Sequence, residues 1–93
     1  MTAISKLPQL LELLESELQS DASMRESHAT DESLEWAIAM LRESESRLTR
    51  LDVRGAQGCV DSVARVALDS WSLFAPVTSR LAECAQQMRQ LLR

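Results

Sequence analysis

The chain has few of the side chains that carry out chemistry. It contains no tyrosine, one histidine, two cysteines and three aromatic residues, together with only two glycines and two prolines. The low glycine and proline content excludes collagen-like and low-complexity chains, and a 45% hydrophobic content excludes a mainly disordered one. No apolar run approaches the roughly 18 residues of a membrane span. These absences leave one small folded domain over residues 1–93.

A secretion signal is also missing from the first twenty residues. Glu12, Glu15 and Glu17 interrupt the leucines there, so no apolar stretch of signal-peptide length remains. Two cysteines without an export signal are typical of reduced thiols in the cytoplasm. We therefore expect a cytoplasmic protein with no disulfide.

Charge is unevenly divided along the chain. Residues 1–45 carry ten acids against three bases, a charge of −7, whereas residues 46–93 carry four acids against seven arginines, a charge of +3. Such asymmetry can steer a charged partner or favour antiparallel self-association. It bears on encounter with partners and does not define the fold.

Four segments show the periodicity of amphipathic helices. Apolar residues recur at alternating spacings of three and four, from Ile4 to Leu18 in the first segment and from Val77 to Leu91 in the last. The predicted helices cover about residues 5–20, 31–54, 59–74 and 76–92. They predict an all-α fold, a small up-down bundle of three to four antiparallel amphipathic helices. The alternative is a three-helix bundle with a separate docking helix.

Punctuating residues suggest where these helices begin and end. Pro8 fits only in a first turn, with Ser5 or Leu7 near the N-cap. Thr30 is a good N-cap, Gly55 can end a helix in a left-handed conformation, and Pro76 breaks the chain before a fourth helix.

Two expectations about burial follow from the same pattern. The inner face of the second helix should run from Leu34 to Leu51, interrupted at Ser44, and that of the third from Val60 to Phe74. The polar residues 20–30 can bury little and should form a mobile loop. The break at Pro76 favours a corner between the third and fourth helices in a monomer.

Catalytic and metal sites find little support in the sequence. Cys59 is expected at the start of the third helix, where the helix dipole favours a thiolate, but His28 is its only imidazole partner and no orienting residue is evident. Cys59, Cys84 and His28 occur singly, without the paired spacing of zinc ligands. We expect no enzyme, no cofactor, no metal and no small-molecule substrate. Both cysteines are better interpreted as buried apolar residues.

A basic stripe offers an alternative function. Arg47, Arg50 and Arg54 recur at three and four near the end of the second helix, beside the Gly55–Gly58 connection. This arrangement could contact phosphates in a nucleic-acid-associated regulator. Asp61 and Asp69 on the next helix and the acidic net charge oppose it, so nucleic acid is not the favoured partner. The acidic half could instead mimic nucleic acid.

The favoured function is protein binding through surplus apolar surface. Trp36 and Met40 lie well outside the Leu34–Leu41 stripe, and Leu13 lies at the edge of its own stripe. These three residues are the predicted contacts, although Trp36 could also be buried against a third helix. The sequence thus predicts an acidic helical adaptor, regulator, chaperone or inhibitor that binds another protein or forms a homodimer.

Overall fold

The computed structural model describes residues 6–91. Its four helices are α1 (Leu7–Gln19), α2 (Asp31–Thr49), α3 (Val53–Ser70) and α4 (Pro76–Leu91), with a short 3₁₀ turn at Ala22–Met24 between α1 and α2. This described range contains no strand, so the all-α prediction is confirmed. Predictions for Ile4, Ser5, Leu92 and the side chain of Leu91 lie outside the described residues.

The helices form an up-down ring in which each packs against its sequence neighbour and α4 returns to α1. Two hydrogen bonds show the antiparallel order of α2 and α3: Ser33 at the start of α2 is bonded to Trp71 just after α3, and Ser44 near the end of α2 is bonded to Ala56 near the start of α3. The described chain is elongated, with extents of 39 × 21 × 21 Å. The predicted corner between the third and fourth helices is present, since α3 and α4 pack against each other. The corner lets the apolar faces of both helices join one core.

The core lies along the axis of this ring. Leu14, Leu34, Leu41, Val60 and Leu81 are completely buried, and one apolar face of every helix contributes to the cluster. Burial of roughly 1.5–3 kcal/mol per large side chain is what holds helices of 13 to 19 residues, which would be marginal in isolation. No helix within residues 6–91 has the length and apolar content needed to cross a bilayer.

The starts of α1, α2 and α4 agree with the sequence signals. Pro8 lies in the first turn of α1 next to the Lys6 N-cap, where the N–H group that proline lacks would have no helical partner. Thr30 caps α2 by accepting a 3.1 Å hydrogen bond from the Ser33 N–H. Pro76 is the first residue of α4.

The connection between α2 and α3 lies earlier than predicted. Instead of ending at 54, α2 ends at Thr49, and α3 begins at Val53 instead of 59. Leu51 adopts a left-handed conformation with φ of 63°, and its N–H donates to Leu48 O at 2.9 Å while the Asp52 N–H donates to Arg47 O at 2.8 Å. This Schellman motif turns the chain without glycine. Leu51, predicted to be in the core, is 86% exposed.

Gly55, the predicted helix stop, belongs instead to the first turn of α3. The Asp52 side chain caps α3 through a 3.0 Å hydrogen bond from the Gly55 N–H. A Cβ atom at residue 55 would lie 2.2 Å from Asp52 Oδ2 and 2.6 Å from Arg47 Nη1. Glycine is therefore favoured here because any side chain would displace the capping carboxylate and its arginine, not because of backbone torsion.

The end of the third helix also differs from the prediction. The helix stops at Ser70 instead of 74, and Phe74 is exposed although its spacing placed it on the inner face. Trp71 is buried as predicted. Trp71 and Phe74 differ in burial because the chain leaves the helix at Trp71. Beyond that residue the helical periodicity no longer determines where a side chain lies.

Candidate functional site

Two of the predicted contact residues, Trp36 and Met40, flank the seam between α2 and α3. On α2 they lie between Ser33, whose hydroxyl accepts a 2.9 Å hydrogen bond from the Trp71 indole, and Ser44, whose hydroxyl donates to Ala56 O at 2.9 Å. Trp36 remains 38% exposed, whereas Met40 is half-buried against the core. Ser44 is fully buried, so it does not interrupt the inner face as the sequence suggested.

The third predicted contact residue, Leu13, lies elsewhere. It lines a groove between α1 and α4, while Trp36 and Met40 belong to the α2–α3 side of the ring. The structure therefore does not bring the three residues together as one patch. This groove is formed by Leu13, Ser16, Glu17, Ser20, Met24, Glu26, Pro76 and Val77; we call it the α1–α4 groove.

The groove exists because α1 and α4 are the least closely packed neighbours in the ring. Small side chains at Ser16 and Ser20 leave the α1 side of the seam hollow. A second depression, which Lys6, Leu10 and Arg80 help to line, follows the same seam towards the other end of the bundle. There the ion pair between Lys6 Nζ and Glu83 Oε1, 2.9 Å apart, joins the two helices.

Three large apolar side chains are exposed at one end of the groove. Met24 is 75%, Leu73 61% and Phe74 98% exposed; we call these three residues the tip. Met24 itself lines the groove, and Phe74 precedes the groove residue Pro76 by two positions. Sequence reasoning missed the tip, although an isolated methionine in a polar loop and two apolar residues just before a proline are signals that could have indicated it.

Anchoring of the α3–α4 connection explains why Leu73 and Phe74 point outward. Trp71 is buried and its indole N–H donates to the Ser33 hydroxyl, and the Ser72 N–H donates to Ser27 O at 2.7 Å. Ala75 is buried as well. The residues on both sides of Leu73 and Phe74 are thus tied to the bundle, which leaves these two side chains at the apex of the turn.

Arg25 holds the connection between α1 and α2, which lies at the same end of the bundle and contains Met24 and Glu26. Its side chain is only 3% exposed. The guanidinium donates to the carbonyl oxygens of Glu17 at 2.7 Å, Leu18 at 3.0 Å and Ala29 at 3.0 Å, and it pairs with Asp31. One planar cation therefore binds carbonyl oxygens at the end of α1 and in the connection before α2, and pairs with Asp31 in the first turn of α2.

The expectation that residues 20–30 bury little holds for most of the segment and fails at three positions. Arg25, Ser27 and Ala29 are all buried there, and the Ser27 N–H donates to Glu17 Oε1 at 3.1 Å. The error arose because burial of an arginine depends on carbonyl groups whose positions only the fold defines. The predicted mobility of the segment stays a prediction.

Carboxylates surround the tip and the groove. Glu17 and Glu26 line the groove, and Asp21 lies in the same connection. Within residues 6–91, none of these three carboxylates forms an ion pair with lysine or arginine. These carboxylates therefore remain available for a cation of a partner, although Glu17 Oε1 also accepts the Ser27 N–H.

The predicted basic stripe lies at the opposite end, and the fold divides it. Arg47 is in the last turn of α2 and Arg50 is its C-cap, whereas Arg54 belongs to α3. Arg47 pairs with Glu43 at 3.2 Å and Asp52 at 3.0 Å, and Arg50 pairs with Glu43 at 3.7 Å. These carboxylates offset much of the positive charge that a phosphate would meet.

The cysteines lie inside the bundle. Cys59 and Cys84 are both buried and are not joined by a disulfide. Burial raises the pKa of each thiol above its ordinary value, so both stay protonated near neutral pH. Cys59 lies two turns inside α3, not at its start, and the exposed His28 belongs to the connection at the far end. The structure therefore does not bring the predicted Cys–His pair together.

The groove and the tip consequently offer apolar contact area and carboxylates. Among residues 6–91, histidine, cysteine, aspartate and glutamate form no cluster that could hold a metal ion. No family model, curated protein or solved structure matches the chain.

Proposed function

We propose that this protein is a non-enzymatic interaction module that binds a partner protein through the tip and the α1–α4 groove. The observation that carries the proposal is the near-complete exposure of Phe74, which follows the exposed Leu73 in the chain and lies at the same end of the α1–α4 groove as the exposed Met24. Aromatic and methionine side chains are enriched at protein contacts, and exposed large apolar side chains on a small domain mark such sites.

The magnitude of the available binding energy supports this use. Complete burial of one Leu, Met or Phe side chain is worth about 1.5–3 kcal/mol. The three tip residues together would supply several kcal/mol, which an interface needs to offset the cost of association. Packing against the half-buried Leu13 in the groove would add to this total.

Relative to the sequence-based hypothesis, the proposal keeps Leu13 and adds the tip. Trp36 and Met40 stay predicted contacts of a separate surface on the α2–α3 side. Their partial burial leaves them less apolar area to contribute than Phe74 has.

A matched pair of variants tests the proposal. Leu73→Ser combined with Phe74→Ser removes the apex of the tip, and Leu51→Ser removes a leucine at the opposite end that is more exposed than Leu73. Affinity capture from a lysate of the native host should recover proteins with the wild type and with Leu51→Ser that the double variant does not retain. All three proteins should show the same thermal midpoint by circular dichroism, since none of the three side chains is buried. Equal capture by the double variant would contradict the proposal.

A further inference from the structure

We infer that the occupant of the tip and the α1–α4 groove is a basic amphipathic helix of the partner, an inference that rests on the proposed function. Its apolar side would pack on Leu13, Met24 and Phe74. Lysine or arginine side chains along its flank would face Glu17 and Glu26.

The shape of the surface favours a helix. The two depressions along the α1–α4 seam follow a pair of antiparallel helices, which is the geometry that a third helix can enter. The 13 residues of α1 span about 20 Å at 1.5 Å per residue. A docked helix of about four turns would match that length, with its basic side chains at the end beside Glu17 and Glu26, because Lys6 and Arg80 line the depression at the other end.

Charge decides which class of helix fits. Glu17 and Glu26 line the groove without an ion-pair partner among the described residues, and Asp21 lies in the connection between them. An acidic or neutral helix would leave these carboxylates unpaired, whereas a basic one would pair with them and approach faster. The apolar residues beside them distinguish this surface from a purely acidic mimic of nucleic acid.

The same charge opposes a symmetric dimer through the tip. Two copies meeting at this surface would bring their unpaired carboxylates together, and like charges repel. A head-to-tail contact with the opposite end would meet Arg47 and Arg50, which already pair with carboxylates, so that Arg54 is the one member of the basic stripe without an ion pair among the described residues. A second copy is therefore a weaker candidate than a separate basic helix.

Synthetic peptides can test the inference with the full chain. The probe is an 18-residue helix of leucine and lysine with an amphipathic pattern, labelled for fluorescence anisotropy. The first control replaces every lysine with glutamate, the second replaces it with glutamine, and the third scrambles the leucine–lysine order. The leucine–lysine helix should bind at least tenfold more tightly than any of the three controls, and addition of salt should weaken it.

Charge-matched variants locate the binding site. Glu17→Gln with Glu26→Gln removes two charges from the groove, and the glutamine oxygen at 17 can still accept the Ser27 N–H. Glu12→Gln with Glu45→Gln removes two charges outside it, from residues that have no ion pair within the described chain. The groove pair should weaken binding of the leucine–lysine helix by about fivefold to tenfold and the control pair by less than twofold.

The outcomes separate this inference from the proposed function. If the glutamine or glutamate peptide binds as tightly and Phe74→Ser weakens it, the surface is correct and the basic helix is wrong. If Phe74→Ser weakens no peptide, the surface itself is wrong. Failure of the leucine–lysine helix to bind at about 100 μM also overturns the inference, as does a dimer in sedimentation equilibrium that Phe74→Ser abolishes.

Discussion

The connections between helices are held differently at the two ends of the bundle. At the turn end, which contains residues 50–52, three residues reverse the chain through backbone hydrogen bonds of the Schellman motif and one aspartate cap. At the tip end, which contains residues 20–30 and 71–75, two longer connections are held by a buried arginine and by contacts distant in sequence. Local geometry closes one end and tertiary contacts close the other.

Their surfaces differ accordingly. At the turn end, Arg47, Arg50 and Asp52 are joined in ion pairs, so the charge is largely satisfied within the chain. At the tip end, Glu17 and Glu26 have no such partner among the described residues, and Phe74 is exposed. This contrast is why we place the binding surface at the tip end.

The largest expected change in stability comes from removing the buried Arg25 guanidinium at the tip end. Arg25→Ala leaves three carbonyl groups without their donor, and we expect the free energy of unfolding to fall by about 3 kcal/mol. Arg42→Ala, which removes an exposed ion pair with Glu15, should cost less than about 1 kcal/mol. Urea unfolding followed by circular dichroism measures both. Equal losses would show that Arg25 does not stabilise the tip end.

Alanine at the two glycines of α3 should have opposite effects at the turn end. Gly55→Ala displaces the Asp52 cap and should lower the free energy of unfolding by about 1 kcal/mol. Gly58→Ala meets nothing within 4 Å and should raise it by up to about 1 kcal/mol through helix propensity. Chemical denaturation of the two variants side by side gives the comparison, and a stabilising Gly55→Ala would be inconsistent with the cap geometry.

A smaller gain in stability should follow from replacing Leu51, the left-handed residue of the turn, with glycine. Leu51→Gly loses no buried surface and removes the cost of a β-carbon at positive φ, so we expect stabilisation of about 0.5–1 kcal/mol. Leu51→Ala keeps the β-carbon and should give no gain. Thermal unfolding of both variants can decide, and a gain for alanine equal to that for glycine would refute this explanation.

The smallest effect concerns acidification of the turn end. A hydrogen bond from the Gly55 N–H, together with Arg47, holds the pKa of Asp52 below its ordinary value, and Lys6 does the same for Glu83. A lowered folded-state pKa stabilises the fold above the unfolded-state value, and this contribution is lost as pH falls through the folded-state value. We therefore expect thermal midpoints to decrease between about pH 5 and pH 3. Asp52→Asn, which keeps the capping oxygen, should reduce that slope, and an unchanged slope would exclude Asp52 as a source.

Sequence reasoning performed best where structure depends on near neighbours. The Thr30 cap, the Pro8 first turn and the start of α4 at Pro76 were all predicted, because each depends on residues within one helical turn. The buried face of α2 from Leu34 to Leu41 followed from periodicity alone.

The failures have a common physical cause. Leu51 was placed in the core because glycine at 55 was the expected helix stop, yet a leucine adopted the left-handed conformation. Phe74 was placed inside because the helical spacing was continued past the residue where the helix ends. The sequence predicts a polar loop around Arg25 because its carbonyl partners, at Glu17, Leu18 and Ala29, approach the guanidinium only in the folded chain.

The sequence by itself therefore determined four amphipathic helices, most of their starts and the faces that form the core. These follow from periodicity, capping and proline geometry, which act over a few residues. Only the tertiary structure decided that Arg25 is buried, that Phe74 is exposed and that Leu13 lies in a groove apart from Trp36. Those properties depend on which helices approach each other in space, and the distances between helices are not a local property of the chain.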